Sequence, residues 1–209
     1  MPKSIFVYLI ALFFLIGSVL FLSSFFLNSS SPELNKQVNE IIFEAKNISI
    51  NLGFKDSDFV LKIKSSMVNS LKEEKNLYVY QPKIDILGKN IFMKITSNKG
   101  TISYDKNIVE LESNTEISGR ANEKSISGKA GKIYIDLNKR NLSSNKLIIF
   151  IDEYEISLNE ITLNKDEMIF KGNPIYLKDN DGLVTETSSM RLNSSGELVF
   201  PTKLNIKNY

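Results

Sequence analysis

The regular alternation of apolar and polar residues in the stretch 100–117 restricts the fold of this chain more than any other feature. An apolar residue at every second position is typical of half-buried β-strands, and Asp, Asn and Lys are common where a chain reverses. The stretch is interpreted as strand, two-residue turn, strand, bend and strand, at residues 100–105, 106–107, 108–112, 113–114 and 115–117. The pattern therefore predicts an antiparallel β-structure.

The same pattern recurs along the chain. It returns at residues 131–136, 159–164 and 188–193, with a fainter copy at 66–68. The copies lie about 30 residues apart, a spacing typical of repeated supersecondary units. A single hairpin cannot bury its apolar face, so such units must stack on one another. We therefore expect one all-β domain built from stacked repeats.

Composition narrows the classes of function. With 209 residues and 42% hydrophobic content the chain can form a substantial core. A net charge of +2, with Lys and acidic residues interleaved, does not indicate nucleic-acid binding. The chain contains no Cys and no His, so disulfides, thiolate metal sites and the commonest general base are excluded. Asp105, Glu110 and Asp136 are predicted at turns or on solvated strand faces, so we expect neither an enzyme nor a cofactor.

The amino terminus has the composition of a membrane anchor. Residues 5–27 are almost wholly apolar and, as a helix rising about 1.5 Å per residue, would cross the roughly 30 Å hydrocarbon core. A cleaved signal peptide is the alternative. Its apolar region should end after about 7–15 residues, whereas Phe25, Phe26 and Leu27 extend this one. We predict an uncleaved anchor over residues 1–27, with Lys3 on the cytoplasmic side and the remainder outside the cytoplasm.

A polar tether and a strand-rich domain are predicted after the anchor. Residues 28–40 begin with Ser and Pro at a density typical of flexible linkers, and the domain occupies 41–209. Within it, residues 48–52 and 59–63 are expected to form a hairpin around a turn at 55–58. Residues 58–75 also contain apolar residues at helical spacing, so a helix is the alternative for this segment. The neighbouring repeats favour strands there.

Breaks at similar places in successive repeats predict how the strands are arranged. Each break contains Pro, Gly or Asn, which bend a strand or interrupt its ladder. The breaks lie at residues 80–82, 113–114, 172–174 and 200–201. A sheet that is bent at one level in every strand folds over on itself. We therefore expect two facing antiparallel sheets, a jelly-roll-like sandwich.

Alternate positions assign the two faces of the strands. The apolar set comprises Leu61, Ile63, Leu77, Val79, Met93, Ile95, Ile102, Tyr104, Val109, Leu111, Ile133, Ile135, Ile161 and Leu163. The opposite, solvated set comprises Lys62, Lys94, Ser103, Glu110, Lys132, Tyr134 and Thr162. The apolar set is interpreted either as an ordinary sandwich core or as a trough for a long apolar ligand. An acyl chain buried in a trough would gain about 0.8 kcal/mol per methylene.

The order of anchor, tether and repeated strands resembles the LptC family of lipopolysaccharide export components. The resemblance is carried by residues 94–102, 109–111 and 116–117, together with the Tyr80-Gln81-Pro82 segment that follows Val79. The resemblance implies a twisted β-jelly-roll preceded by a single transmembrane helix, located in the bacterial inner membrane with the domain in the periplasm. It implies three kinds of partner: the lipid A acyl chains of lipopolysaccharide, an inner-membrane ABC transporter with LptF/LptG-type subunits, and a periplasmic LptA-like protein.

The resemblance also implies a set of interior, lipid-facing positions. These are Leu61, Ile63, Val79, Met93, Ile95, Ile102, Tyr104, Leu111, Ile133, Ile135 and Ile161. The alternative function is a membrane-anchored scaffold or adhesin that has a closed core and no lipid ligand.

Overall fold

Strands are the regular elements of the computed structural model, which describes residues 41–71, 74–200 and 205–207. The predicted anchor, residues 1–27, and the predicted tether, residues 28–40, lie outside these residues. Among the described residues there is no helix with the length and apolar character needed to cross a membrane. The strands are β1 (Ile41–Gly53), β2 (Val60–Leu71), β3 (Asn76–Tyr80), β4 (Lys83–Leu87), β5 (Ile91–Thr96), β6 (Lys99–Ser103), β7 (Ile108–Ala121), β8 (Lys124–Asp136), β9 (Asn141–Ile151), β10 (Tyr154–Asn164), β11 (Glu167–Lys178), β12 (Val184–Leu192), β13 (Leu198–Val199) and β14 (Asn205–Lys207).

All strand pairs are antiparallel, and the chain follows them almost in sequence order. From β7 to β12 each strand pairs with the next one along the chain. Before β7 the path divides: β4 and β5 continue one half of the sheet, and β3 and β6 continue the other half. β1 pairs with β2, and Leu52 lies opposite Leu61, so the predicted hairpin is confirmed. The strand prediction for residues 58–75 is confirmed over β2, Val60–Leu71, whereas residues 72–73 lie outside the described residues.

The long strands are interrupted at one common level, which we call the crease. β7 shifts register between Glu112 and Thr115, and the intervening Ser113 and Asn114 have positive φ angles of 66° and 52°. β11 shifts register between Lys171 and Ile175. The predicted bends at 113–114 and 172–174 are therefore confirmed.

The break between β3 and β4 lies at the same level. Gln81 there has a positive φ of 48°, so the bend predicted at 80–82 is confirmed as well. The fourth predicted bend, at 200–201, extends beyond the described residues.

Buried hydroxyl groups bind the backbone groups that the crease releases from the ladder. In four strands or strand connections a Ser or Thr hydroxyl donates to the carbonyl two residues later, at 2.7 to 3.2 Å. These residues are Ser65, Ser97, Ser144 and Thr187. All four side chains are buried. Because a buried carbonyl without a partner is costly, each hydroxyl stabilises the bend that it accompanies.

The sheet is folded over along the crease. β7 ends at the turn that contains Asn122, whereas Asp166 lies in the turn at the opposite end of the strands, between β10 and β11. In a flat sheet these turns would be separated by about 40 Å, at roughly 3.3 Å per residue over about twelve residues. Instead, Asn122 Nδ2 lies 2.6 Å from the carbonyl oxygen of Asp166. Lys55 N similarly donates to Leu137 O at 2.9 Å. The two halves of each strand therefore form two layers whose turns meet.

Apolar side chains from both layers fill one core. Val109 and Leu111 precede the crease in β7, Ile117 and Ala121 follow it, and all four belong to the same buried cluster. The cluster extends from Phe54 to Leu192. A hairpin with one apolar face can bury it only against another layer, and folding the sheet provides that layer from the same strands.

Candidate binding interior

Ten of the eleven positions expected to face a lipid lie in this core. They have 0% or 1% of their surface exposed: Leu61, Ile63, Val79, Met93, Ile95, Ile102, Leu111, Ile133, Ile135 and Ile161. Strand register aligns them in rows. Val79 lies opposite Gly100, Gly100 opposite Leu111, and Leu111 opposite Ile133. The structure thus places these ten side chains in a single apolar interior.

For the eleventh position, Tyr104, the prediction of an interior side chain is wrong. Tyr104 is 48% exposed and lies in a four-residue turn at 104–107, not in a strand followed by a two-residue turn. The last pair of this hairpin is Ser103 opposite Ile108. Because Tyr104 is beyond that pair, the alternation of the strand no longer decides which way its ring points. The hydroxyphenyl group retains substantial contact with solvent, although burial raises the pKa of Tyr104.

The interior is filled by its own side chains. A side chain with no surface accessible to a water-sized probe adjoins no space that could hold a water molecule, and Leu61, Met93, Ile95 and Ile133 are all at 0%. An acyl chain could therefore enter among these residues only if the two layers moved apart.

The apolar interior reaches the surface at the β1 end. Ile48, Ile50 and Leu52 of β1 pack against the core but are only half-buried. Phe43 lies opposite Ser70, and Ser70 lies opposite Leu77, which packs against the core. Because residues directly opposite each other point to the same face, the ring of Phe43 is on the interior side of the sheet. Phe43 is nevertheless 49% exposed. This end of the core is therefore open to solvent.

The interior also reaches the surface at the other end. Leu198 and Phe200 are partly buried against the core beyond β12. A groove of about 410 Å³ lies beside them and is lined mainly by outward-facing residues of β11 and β12, such as Glu167, Ile169 and Arg191. Sequence reasoning missed the interior roles of both sets of end residues. The alternation of apolar and polar residues over 48–52 correctly predicts a hairpin strand. It does not show that this strand is the last one of the sheet.

Charged residues on the outer face form local networks. Lys132 lies between Glu110 and Glu112, its Nζ is 2.9 Å from Glu112 Oε1, and it lies 4.9 Å from the centroid of the Tyr134 ring. Hydrogen bonds to Glu110, Tyr134 and Glu112 raise the pKa of Lys132. Burial would raise the pKa of Glu160, but hydrogen bonds from Lys171 and Thr162 lower it. The residues predicted on the solvated face are half-buried or exposed, as expected.

The carboxylates are not gathered into a metal site. Among the residues that the structure describes, no group of three or more acidic side chains could hold a metal ion. Asp136 accepts hydrogen bonds from the backbone N–H groups of Asn138 and Lys139, a turn-stabilising arrangement.

No protein-family model matches the chain, and no curated protein matches it. The family resemblance noted above therefore depends on the sequence pattern alone.

Proposed function

We propose that this chain is a membrane-anchored lipopolysaccharide carrier. It accepts lipopolysaccharide from an inner-membrane ABC transporter and passes it through a periplasmic β-jelly-roll bridge toward the outer membrane. The observation that carries the proposal is the apolar interior shared by both layers, which reaches the surface at both ends of the sheet. An interior of this kind provides an apolar route along the stacked strands.

In this proposal the domain is a twisted β-jelly-roll in the periplasm, tethered by residues 28–40 to a single membrane helix within residues 1–27. β1 supplies a docking edge. It is a 13-residue strand that pairs with β2 on one side. A long edge of this kind can accept a strand from a partner sheet, which would join the two interiors end to end.

Loading requires the layers to separate, because the interior residues are fully packed in the structure. An acyl chain gains about 0.8 kcal/mol for each buried methylene, so a chain of ordinary length offsets the loss of many core contacts. We expect entry at the β1 end, where Phe43 and Leu52 are already in contact with solvent. The hydrogen bonds between the meeting turns, including that from Asn122 to Asp166, must yield as lipid moves inward.

Site-specific photo-crosslinking of the full chain in lipopolysaccharide-producing cells tests this function. A photoreactive amino acid replaces Phe43 at the open end, Val79 in the interior, or Tyr176, which is 43% exposed on the opposite side of β11. We expect lipopolysaccharide adducts at Phe43 and Val79 and none at Tyr176. An absence of adducts at both interior positions, or equal labelling at Tyr176, would overturn the carrier function.

A second candidate is a membrane-anchored scaffold or adhesin with a closed core. The complete burial of residues such as Leu61 and Ile133 favours it. In that case the full chain, extracted in mild detergent, carries no lipopolysaccharide, and Val79→Trp lowers stability without changing the composition of any bound lipid.

A further inference from the structure

A row of exposed apolar side chains crosses the outer side of one layer. Val60 lies directly opposite Leu87, and Leu87 lies directly opposite Phe92. Their exposed fractions are 42%, 40% and 43%. Scattered exposed apolar residues are ordinary, but three in register on adjacent strands form a continuous strip.

Basic side chains surround this strip. The outer positions of β2, β4, β5 and the second half of β7 carry five cations and two carboxylates, a net charge of +3, whereas the whole chain carries +2. The cations are Lys62, Lys64, Lys83, Lys94 and Arg120, and the carboxylates are Asp85 and Glu116. We call this surface, with the apolar strip, the basic face. The adjoining turns add two cations, Lys55 and Lys89, and three carboxylates, Asp56, Asp58 and Glu123, so a net charge of +2 remains.

In the part of the chain that the structure describes, no close ion pair joins the cations of the basic face, although Asp85 lies directly opposite both Lys62 and Lys94. Within the described ranges, each salt bridge under 4.0 Å involves other residues, such as Lys124 with Asp152 and Lys171 with Glu160. Lys64 lies directly opposite Lys83, an arrangement in which like charges repel. An external anionic surface would relieve that repulsion.

We propose that the basic face is a contact surface for a bilayer that contains anionic phospholipids. Leu87 and Phe92 enter the headgroup region, and the lysines hold their charged ends among the phosphates while their alkyl stems cover apolar surface. A second copy of the chain does not fit, because a symmetric contact through this face would bring two positive surfaces together. A strip of three side chains is also small for a stable dimer interface, which buries about 800 Å² on each partner.

The chain allows a direct test, because it has no Cys and a single introduced thiol can be labelled specifically. Ser118→Cys places an environment-sensitive fluorophore directly opposite Lys94 without removing a member of the strip. Tyr104→Cys places the same fluorophore on the exposed turn between β6 and β7 as the control position. Each labelled full chain is reconstituted in nanodiscs of phosphatidylcholine, with or without phosphatidylglycerol and with a small fraction of nitroxide lipid.

We expect a blue shift and nitroxide quenching at position 118 in nanodiscs that contain phosphatidylglycerol. Both signals should be reduced in phosphatidylcholine alone or at high salt, and absent at position 104. Equal signals at both positions, or no signal at position 118, would overturn the proposal. The absence of a signal at 118 is also the result expected if this face binds an acidic protein instead of a bilayer. If the chain does not enter nanodiscs, the proposed membrane anchor is wrong. The basic face is then tested by adding the same labelled chain to anionic vesicles and measuring the blue shift and the nitroxide quenching.

Two pairs of variants separate the contributions of charge and apolar contact. A triple variant of the basic face should abolish the signal at position 118; it combines Lys64→Glu, Lys83→Glu and Lys94→Glu. A control triple variant makes the same charge change elsewhere and should preserve the signal; it combines Lys75→Glu, Lys106→Glu and Lys146→Glu. The double variant Leu87→Ser/Phe92→Ser should reduce the blue shift. The control, Phe150→Ser, removes an aromatic ring that is 36% exposed outside the strip and should leave the blue shift unchanged. Loss of signal in the control variants would contradict the assignment to this face. All substituted side chains are at least partly exposed, and circular dichroism checks that the fold is retained.

Discussion

Asn122 Nδ2 donates to Asp166 O at 2.6 Å and so joins turns at the two opposite ends of the strands. The same nitrogen lies 2.8 Å from Asn193 O, in a third turn. The backbone N–H of Asn122 donates to Asn90 O at 3.0 Å. This buried amide therefore joins the two layers on the side away from the crease, as the hydrogen bond from Lys55 N to Leu137 O does at another pair of turns.

Replacing Asn122 with Ala should lower the free energy of unfolding by about 1–3 kcal/mol. Two carbonyl groups lose a buried donor, and Ala tolerates the positive φ of 47° at this position less well than Asn does. Urea denaturation measures the change. Asn107→Ala, at an exposed turn position with a φ of 53°, is the control for the backbone effect and should cost clearly less. Equal stability of the Asn122 variant and the wild type would show that this amide does not hold the layers together.

Two glycines should respond in opposite ways to a methyl group. A Cβ at Gly119 would lie 2.1 Å from the carbonyl oxygen of Phe92, so Gly119→Ala forces neighbouring backbone to move and should cost about 1–3 kcal/mol. At Gly131, in β8, there is no atom within 4 Å of the corresponding Cβ. Gly131→Ala should be neutral or stabilise by about 0.4–1 kcal/mol, because it reduces the freedom of the unfolded chain. Thermal and urea unfolding of both variants test this contrast, and a similar loss in both would contradict it.

The hydroxyl of Ser97 should be needed for the crease. Its Oγ lies 2.6 Å from Glu112 O and 3.2 Å from Lys99 O, and the side chain is buried. Ser97→Ala removes this donor and should cost about 1–3 kcal/mol. Ser118→Ala changes an exposed serine on the outer side of β7 and should have almost no effect. Amide hydrogen exchange in β6 and β7 should accelerate only in the Ser97 variant, and unchanged exchange would count against the role of the hydroxyl.

Glu160 should make stability depend on pH in the acidic range. Burial would raise its pKa, but hydrogen bonds from Lys171 and Thr162 hold the pKa of Glu160 below its ordinary value of 4.5. The ionised form is therefore favoured in the folded state, and its contribution is fully present above pH 4.5 and lost as the pH falls through the folded pKa.

The measurement is urea unfolding of Glu160→Gln and wild type from pH 7 to pH 3. At pH 7 the variant should be less stable by under about 1 kcal/mol, as is typical of partly exposed pairs, and the difference should shrink below pH 4.5. Glu116→Gln, at an exposed carboxylate of β7, is the control. A difference that grows as the pH falls would contradict the sign.

Local pattern was sufficient to predict the strand class and most of the interior. Alternation identified residues such as Met93, Ile95, Ile133 and Ile135 correctly, because a strand that is covered on one face must place an apolar residue at every second position. The same rule failed at Tyr104, where the strand had ended one residue earlier. Alternation carries no information once a residue has left the ladder.

Other features depend on distant parts of the chain. The roles of Phe43 and Ile48 follow from β1 being the terminal strand, which depends on the pairing order of the whole sheet. The basic face could not be predicted either, since Val60, Leu87 and Phe92 are separated in sequence and become neighbours only through register.

By itself the sequence determined an antiparallel β-domain with an apolar side and bends at Ser113–Asn114 and Gly172–Pro174, because periodicity and turn chemistry act within a few residues. The tertiary structure alone decided that Asn122 meets Asp166, that the interior is filled by its own side chains, and that its ends remain exposed. These properties depend on how far the sheet folds along its crease. That extent is set by packing and hydrogen bonds between residues far apart in the chain, which local pattern does not encode.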